Sequence, residues 1–342
     1  MRRVVTAWRQ LAGGREARDR DRPTLVACSA GVDSSALAIA LSVVRPAPVI
    51  GHVVHDLRGR ADALADRDAA RGLAERLGLV FVEAEAPVRG EKGNLEALAR
   101  RARYAALSGM AQAHGCRYIA TAHHADDQLE TVLMRLIRGA GPRGMGGIRA
   151  VRSLGEEGFG IRVVRPMLGM SREEAVRICE DMGWVWKEDA SNRDESFLRN
   201  AIRARVIPEI RAIRPDAAER AAVTAAVCTL AAEAIERAAR LALNAATRKA
   251  EDGRGIVLGR KELAAAPMAV RCEALRLVLR DAGGVGMDKA GWRVVEPAAM
   301  AVGDHRMEPR SFRVGSIVVD VRAHEIRVSA GCGGAGTEES DG

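Results

Sequence analysis

At 342 residues, 48% of them hydrophobic and 29% charged, the chain is long enough for two domains and too apolar to be disordered throughout. No stretch reaches the roughly 18 uncharged apolar residues of a membrane span, and the N-terminal MRRVVTAWRQLAGGREARDRDRP is too interrupted for a secretion signal; a cytoplasmic protein with no membrane partner is expected. The formal net charge of +8 is unevenly spread: from Asp216 onward 18 basic residues face 18 acidic ones, so the whole excess, 35 against 27, lies in residues 1–215 and suits a polyanionic ligand.

The six cysteines, at 28, 116, 179, 228, 272 and 332, form no CxxC pair, which argues against a zinc cage or a disulfide scaffold and for reduced, buried thiols. After an N-terminal extension (1–23), TLVAC (24–28) is a short β-rich run, and ALAIALSVV behind it reads as a helix. PVIGHVVH (48–55) is a second strand, followed by a helix over 62–78 that ends on a glycine, and LVFVEA (79–84) is a third strand. NLEALARRARYAALSGMAQAHG (94–115) reads as a long amphipathic helix capped by Asn94, CRYIATAHH (116–124) as a fourth strand, and DDQLETVLMRLIRG (126–139) as the next helix. Strands alternating with helices of this length predict an α/β fold, a Rossmann-like parallel sheet with helices on both faces. The Gly- and Arg-rich segment 140–165 reads as a long surface loop closing on a strand at IRVVRP. SREEAVRICEDMG opens with a capping box, Ser171 with Glu174, and 184–210 runs from a polar loop into a basic helix. This first, α/β domain is expected to occupy 24–215. A smaller, mainly helical domain over 216–330 follows, with helices at 216–250 and 268–283 and a hairpin within 311–329. The last residues, 331–342, read as a disordered tail.

The loop Cys28-Ser29-Ala30-Gly31-Val32-Asp33-Ser34-Ser35 joins the first strand to the first long helix. A small-residue turn there exposes successive backbone N–H groups, and the helix N-terminus adds positive potential, so Ser29, Ala30, Gly31, Val32 and Ser34 suit a phosphate. Asp33 is too negative to face phosphate directly and is assigned to Mg²⁺. The loop fits neither GxxxxGK[ST] nor GxGxxG. An ordinary turn capped by Asp33 is the bland alternative for this loop taken alone.

At this point the sequence resembles a known family. SAGVDSS after TLVAC looks like the signature of the PP-loop (N-type) ATP pyrophosphatases, which cleave ATP to AMP and pyrophosphate. The fuller resemblance is to the tRNA(Ile)-lysidine synthetase family. It is carried by CSAGVDSSALA (28–38), HVVHDLRG (52–59), GNLEALARRARYAAL (93–107), ATAHHADDQLETVLMRLIRGAGPRGMGGI (120–148), RPMLGMSREE (165–174) and WKEDASNRDESFLRNAIRARVIP (186–208), in the family's order. The resemblance implies ATP and Mg²⁺ as cofactors and, as partners, free L-lysine and a tRNA(Ile) with a CAU anticodon. It also implies adenylation of the C2 oxygen of the wobble cytidine, followed by displacement of AMP by the lysine ε-amine. A homodimer is common among such enzymes.

His123, Asp126 and Asp127 stand at the end of the fourth strand and the start of a helix, where ligand-facing groups belong. Plain capping would also explain the two aspartates. With the resemblance they are expected in the ATP, Mg²⁺ and cytidine pocket, Asp127 as the favoured contact to metal or to the incoming ammonium, and Glu130 one turn on could extend the acidic wall. Glu96, Arg100, Arg103 and Tyr104 share a helix face. Arg103 is the expected catalytic arginine and Arg100 a tRNA contact, against a solvated basic face as the alternative. Arg199, Asn200, Arg203 and Arg205 are expected to hold tRNA, with Arg203 also catalytic. His52 and His55 end the second strand, where a core histidine and a nucleotide contact are both open; His55 is placed with the nucleotide. Two departures stand out. Ala30 replaces the second glycine of the usual SGG, at a cost of roughly 1–2 kcal/mol if the position is left-handed, and HVVHD replaces the family's common HVNHG.

Overall fold

The computed structural model describes residues 1–14, 16–55, 59–87, 95–155, 160–187, 198–249, 255–282, 291–304, 306 and 308–330, with the side chains of residues 95 and 96 excepted. Asn94, Asp56, Leu57, Arg58, the polar segment 188–197 and the tail 331–342 therefore lie outside the described residues, and so does the side chain of Glu96. The chain divides into two compact units, Met1–Ala140 with Gly144–Thr229, and Gly141–Arg143 with Leu230–Gly342.

The first unit opens with α1 (Arg2–Leu11), whose Val4, Val5 and Trp8 share one buried face. The Trp8 indole donates to Thr24 Oγ1 at 3.1 Å. The Arg22 guanidinium lies 5.7 Å from the Trp8 ring centre and is anchored on the Ala12 and Gly14 carbonyls at 2.6 and 2.5 Å. The extension before the first strand is thus folded into the core. Next come β1 (Thr24–Ala27), α2 (Val32–Leu41), β2 (Val49–His55), α3 (Arg60–Leu77), β3 (Phe81–Ala86), α4 (Leu95–Ala113), β4 (Tyr118–Ala120) and α5 (Ala125–Ile137). They alternate as the apolar runs predict. The segment read as one long surface loop instead contains a short helix, α6 (Pro142–Met145), and a strand, β5 (Val151–Ser153), antiparallel to β6 (Arg162–Val164). Three residues are too few for a two-residue period to show, which hid β5.

The sheet order is β3-β2-β1-β4-β6-β5, all parallel except β5. Successive residues point to opposite faces. Leu25, Ile119 and Val163 pack under α4 with Leu107, Met110 and Ala111. Val26, Ile50, Ala120 and Val164 meet the other layer, which includes α1, α2, α3 and α7 (Arg172–Asp181). Helix α2 is buried on nearly every side, which its run of Ala, Leu and Ile permits. Chain direction across the sheet reverses between β1 and β4, so the crevice beyond their carboxyl ends is the place for a ligand. The unit continues through α8 (Leu198–Ala201), a π-helical turn (Ile202–Val206) and α9 (Ile207–Ile213). The long α10 (Ala217–Ala246) gives residues to both units.

The second unit is richer in strand than its sequence suggests. The expected hairpin is part of a five-stranded antiparallel sheet, order β7-β8-β11-β10-β9, built from Thr247–Arg248, Ile256–Gly259, Arg310–Val314, Ile317–Val321 and Glu325–Ala330. Ile317, Val319 and Val321 alternate inward against α12 (Met268–Asp281) and α13 (Trp292–Val302). At the start of α11 (Arg260–Ala264) the buried Arg260 donates to the carbonyls of Ala301, Val302, Arg322 and Asp304, so its charge is spread over the carboxyl end of α13 and a strand turn. Among the described residues no helix is long and apolar enough to cross a membrane.

Candidate functional site: the loop after β1 and the start of α5

The turn from β1 into α2 is stitched by one hydroxyl. Ser34 Oγ accepts from the Ser29 N–H at 3.1 Å, lies 3.2 Å from Ser29 Oγ and donates to the Gly31 carbonyl at 3.0 Å. Ala30, fully buried, has φ +65°, the one non-glycine in the left-handed region among the described residues. The strain foreseen for an alanine at this position is real, and it leaves the loop's backbone N–H groups in the turn that Gly would adopt freely.

Asp33 stands in the first turn of α2. Its Oδ1 is buried without a hydrogen-bond partner among the described residues, and its Oδ2 is 3.5 Å from His124 Nε2. His124 caps α5: its backbone N–H donates to Asp127 Oδ2 at 3.1 Å. Its ring is enclosed by carboxylates, Nδ1 3.3 Å from Asp126 and Nε2 3.6 Å from Asp127 as well as 3.5 Å from Asp33. Burial opposes a charge there, but contacts with Asp126 and Asp33 and the pull of Asp127 prevail, lifting the imidazole to about 10. At neutral pH His124 is therefore an imidazolium joining the β1 loop to α5. The sequence places it in the ligand-facing run His123–Asp127 without giving it a role of its own. Its signal was its place, the cap position immediately before an acidic first turn.

The two neighbouring aspartates separate by environment. Asp126 accepts the Arg172 N–H at 3.0 Å and pairs with Arg211. Burial pushes its carboxyl up, yet His124, the Arg172 N–H and Arg211 outweigh it and bring it down to about 2. Asp127 is also buried, which pushes its carboxyl up, but the charge and backbone N–H of His124, with Arg199, outweigh this and hold it below the usual carboxylate range. Glu130 is only 2% exposed and receives Arg199 Nε at 2.7 Å and Arg203 Nε at 2.6 Å, while Arg199 reaches Asp127 Oδ1 at 3.1 Å. The π-helical turn beginning at Ile202 widens the helix between them and brings two guanidinium groups onto one carboxylate. The expected acidic wall and the expected basic helix thus meet as one ion-pair network. Arg205 is exposed, and Asn200 is half-buried beside Arg199.

His123 Nδ1 lies 3.0 Å from Thr121 Oγ1. Burial, reinforced by Arg165, Arg100 and Arg199 against the pull of Asp127, drives its ring down to about 3, so it is neutral. His52 is a core residue whose Nδ1–H donates to the Cys28 carbonyl at 2.8 Å, under the first loop; burial lowers its pKa as well. His55, half-buried, ends β2. Arg100 and Arg103 are exposed on α4, Arg100 lying over Tyr104 at 5.2 Å. The arrangement brings together Asp33, Asp126, Asp127, Glu130, Arg199 and Arg203 at the switch point of the sheet.

Residues 5–210 match the PP-loop domain family. The tRNA(Ile)-lysidine synthase of Salinispora tropica is 39% identical over 275 residues, covering 76% of this chain and 77% of that protein. That of Geobacter sulfurreducens is 40% identical over 208 residues, covering 59% of this chain; the chain spans only 43% of that longer relative. Among solved structures, the U34-tRNA thiolase NcsA of Methanococcus maripaludis with its [4Fe-4S] cluster superposes with a TM-score of 0.52 at 17% identity, covering 66% of this chain and 76% of that one, a likeness of fold. With more than half its length matched by the domain and three quarters of a curated relative spanned, the chain belongs to the tRNA(Ile)-lysidine synthase family of PP-loop proteins.

Proposed function

We propose that the chain ligates free L-lysine to C2 of the wobble cytidine of a CAU-anticodon tRNA(Ile), at the expense of ATP. The observation that carries this reading is the pocket itself. A phosphate-type loop with Asp33 behind it and a helix start with Asp126 and Asp127 are tied together by His124 at the switch point between the adjacent strands β1 and β4. In the first step the cytidine C2 oxygen attacks the α-phosphorus of ATP and pyrophosphate leaves. In the second the lysine ε-amine attacks C2, the C2–oxygen bond breaks and AMP leaves. A carbonyl oxygen is a poor leaving group and AMP a good one, which is why the activation precedes the displacement.

The N–H groups of residues 29–34 would receive phosphate oxygens, with Ser29 and Ser34 supplying hydroxyls. Asp33 and Asp127 fit a Mg²⁺ ion. Asp33 Oδ1 is an orphaned buried acceptor, and Mg²⁺ needs only one or two carboxylates when phosphates and water complete its shell. Bound there, Mg²⁺ would offset the negative charge gathering on the departing pyrophosphate. Asp127, ionised beside His124, is the group to orient the lysine ammonium, which gives up its proton to solvent before the ε-amine attacks. Asp126, fully engaged by Arg172 and Arg211, holds the pocket's shape. Arg103 and Arg203 are assigned to charge on the α-phosphate, His55 and His123 to the nucleotide. Arg100, Arg199, Asn200 and Arg205 are assigned to tRNA, in a cytoplasmic enzyme that acts as a homodimer.

The test combines purified protein, ATP, Mg²⁺, labelled lysine and a tRNA(Ile) transcript, with the product nucleoside weighed by mass spectrometry. A lysine adduct of cytidine that requires ATP and disappears with Asp33→Asn is the expected result. A folded protein that binds the tRNA and forms no adduct would overturn the reaction.

A further inference from the structure

Away from the carboxylates, the same end of the sheet carries a group of like charges. The Tyr104 ring has two guanidinium groups over it, Arg100 at 5.2 Å and Arg152 at 5.6 Å from its centre. Arg152 projects from the edge strand β5 and Arg100 from α4, and both are exposed. Neither faces a carboxylate among the described residues. Beneath them Arg165, 2% exposed, donates to the Arg149 carbonyl at 2.5 Å and to Tyr104 Oη at 3.4 Å, while its buried Nε has no partner among the described residues. Burial works against the Arg165 charge, and Arg100 and Arg152 add to that opposition.

Three cations gathered around one aromatic ring, with no anion beside the two outer ones and an unpartnered N–H at the base among the described residues, are ready for something negative to complete them. The cation–π contacts hold the two outer guanidinium planes in place at little entropic cost to a ligand. We propose that Arg100, Arg152 and Arg165, organised around Tyr104, form an oxyanion subsite that takes one backbone phosphodiester of the RNA substrate. This deepens the tRNA reading above and rests on it. A macromolecular phosphate suits the subsite better than a small enclosed anion because Arg100 and Arg152 lie open at the surface. The charges of Arg165 and Arg100 from the subsite and of Asp127 from the carboxylate group all act on the His123 ring, which links the two. A nucleotide whose base enters that pocket would leave its phosphate here. Arg152 is then a backbone contact to the RNA presented from the edge strand, and Tyr104 is a positioning residue.

The experiment measures binding of a labelled CAU tRNA(Ile) transcript to the full chain over a series of KCl concentrations, without ATP or lysine, alongside the KM values for ATP and lysine. Arg152→Gln and Arg100→Gln are each expected to weaken RNA binding several-fold and to reduce the log–log salt slope by about one, leaving both KM values unchanged. Arg152→Lys should keep the slope and lose part of the affinity, because a point charge replaces the planar fork. Tyr104→Leu should weaken binding while keeping the slope, since both cations remain and only their placement is lost. Wild-type affinity and slope in Arg152→Gln would overturn the subsite, and so would a raised KM for ATP or lysine with RNA binding intact. If the unsubstituted chain binds no tRNA, the functional reading falls and the subsite with it.

Discussion

His124 shows how far an environment can move one titratable group. Its folded pKa of about 10 lies above the unfolded value of 6.5, so its contribution to stability is fully present below pH 6.5 and is lost as pH rises through about 10. Followed by NMR of the imidazole nitrogens in metal-free buffer, the ring should remain doubly protonated through neutral pH and titrate near pH 10. A midpoint near 6.5 would show that the three carboxylates do not hold it. The site was only partly legible at this scale. Asp33, Asp126, Asp127 and Glu130 stand out in the sequence because acidic residues at strand ends and in a first helical turn demand an explanation. Arg211 and Arg172, which hold Asp126, do not: they lie 85 and 46 residues away along the chain, and nothing local marks an arginine side chain, or a backbone N–H, as a partner. Ala30 lies between these cases, since the substitution is visible in the motif but its φ of +65° is visible only in the fold.

Helix α5 is fixed at both its beginning and its middle. Gln128, one turn in, accepts the Ile148 N–H at 2.6 Å and donates to the Ile148 carbonyl at 3.0 Å, using its amide as a strand would use its backbone. The glycine-rich run after α5 makes this approach feasible: Gly147 has φ +60°, and a Cβ there would sit 2.2 Å from Gln128 Oε1. Gly147→Ala should therefore break the amide pair and cost about 1–2 kcal/mol from the backbone alone, read as a lowered urea midpoint. Unchanged stability would mean that this segment rearranges freely. Long elements of this kind were easy to read, because α3, α4, α5 and α10 each span several turns of one period. The short strands β5, β7 and β8, of three, two and four residues, carry too few alternations to declare themselves. Only pairing with a distant neighbour makes them strands.

At the scale of the whole molecule, two hydrophobic cores share no residue: one surrounds α2 and the main sheet, the other α12, α13 and the antiparallel sheet. Leu275→Ala, deep in the second, should cost about 2–5 kcal/mol. Hydrogen exchange should show faster opening of α12 while β1 and α2 keep their protection, and equal loss in both cores would contradict their separateness. The net charge of +8 belongs to the molecule and not to its pocket. Among the described residues Asp33, Asp126, Asp127 and Glu130 are faced by His124, Arg199, Arg203 and Arg211, the last shared with Glu173. Such a pocket behaves like an ion-exchange resin already in its salt form. Its surroundings can gather a polyanion from a distance, but an ammonium brought to Asp127, as proposed, would gain its seat only as a resident cation loosened its hold. Occupancy is then set by trade between ions at contact range, and selectivity for one amine over another becomes a question of which can complete the exchange.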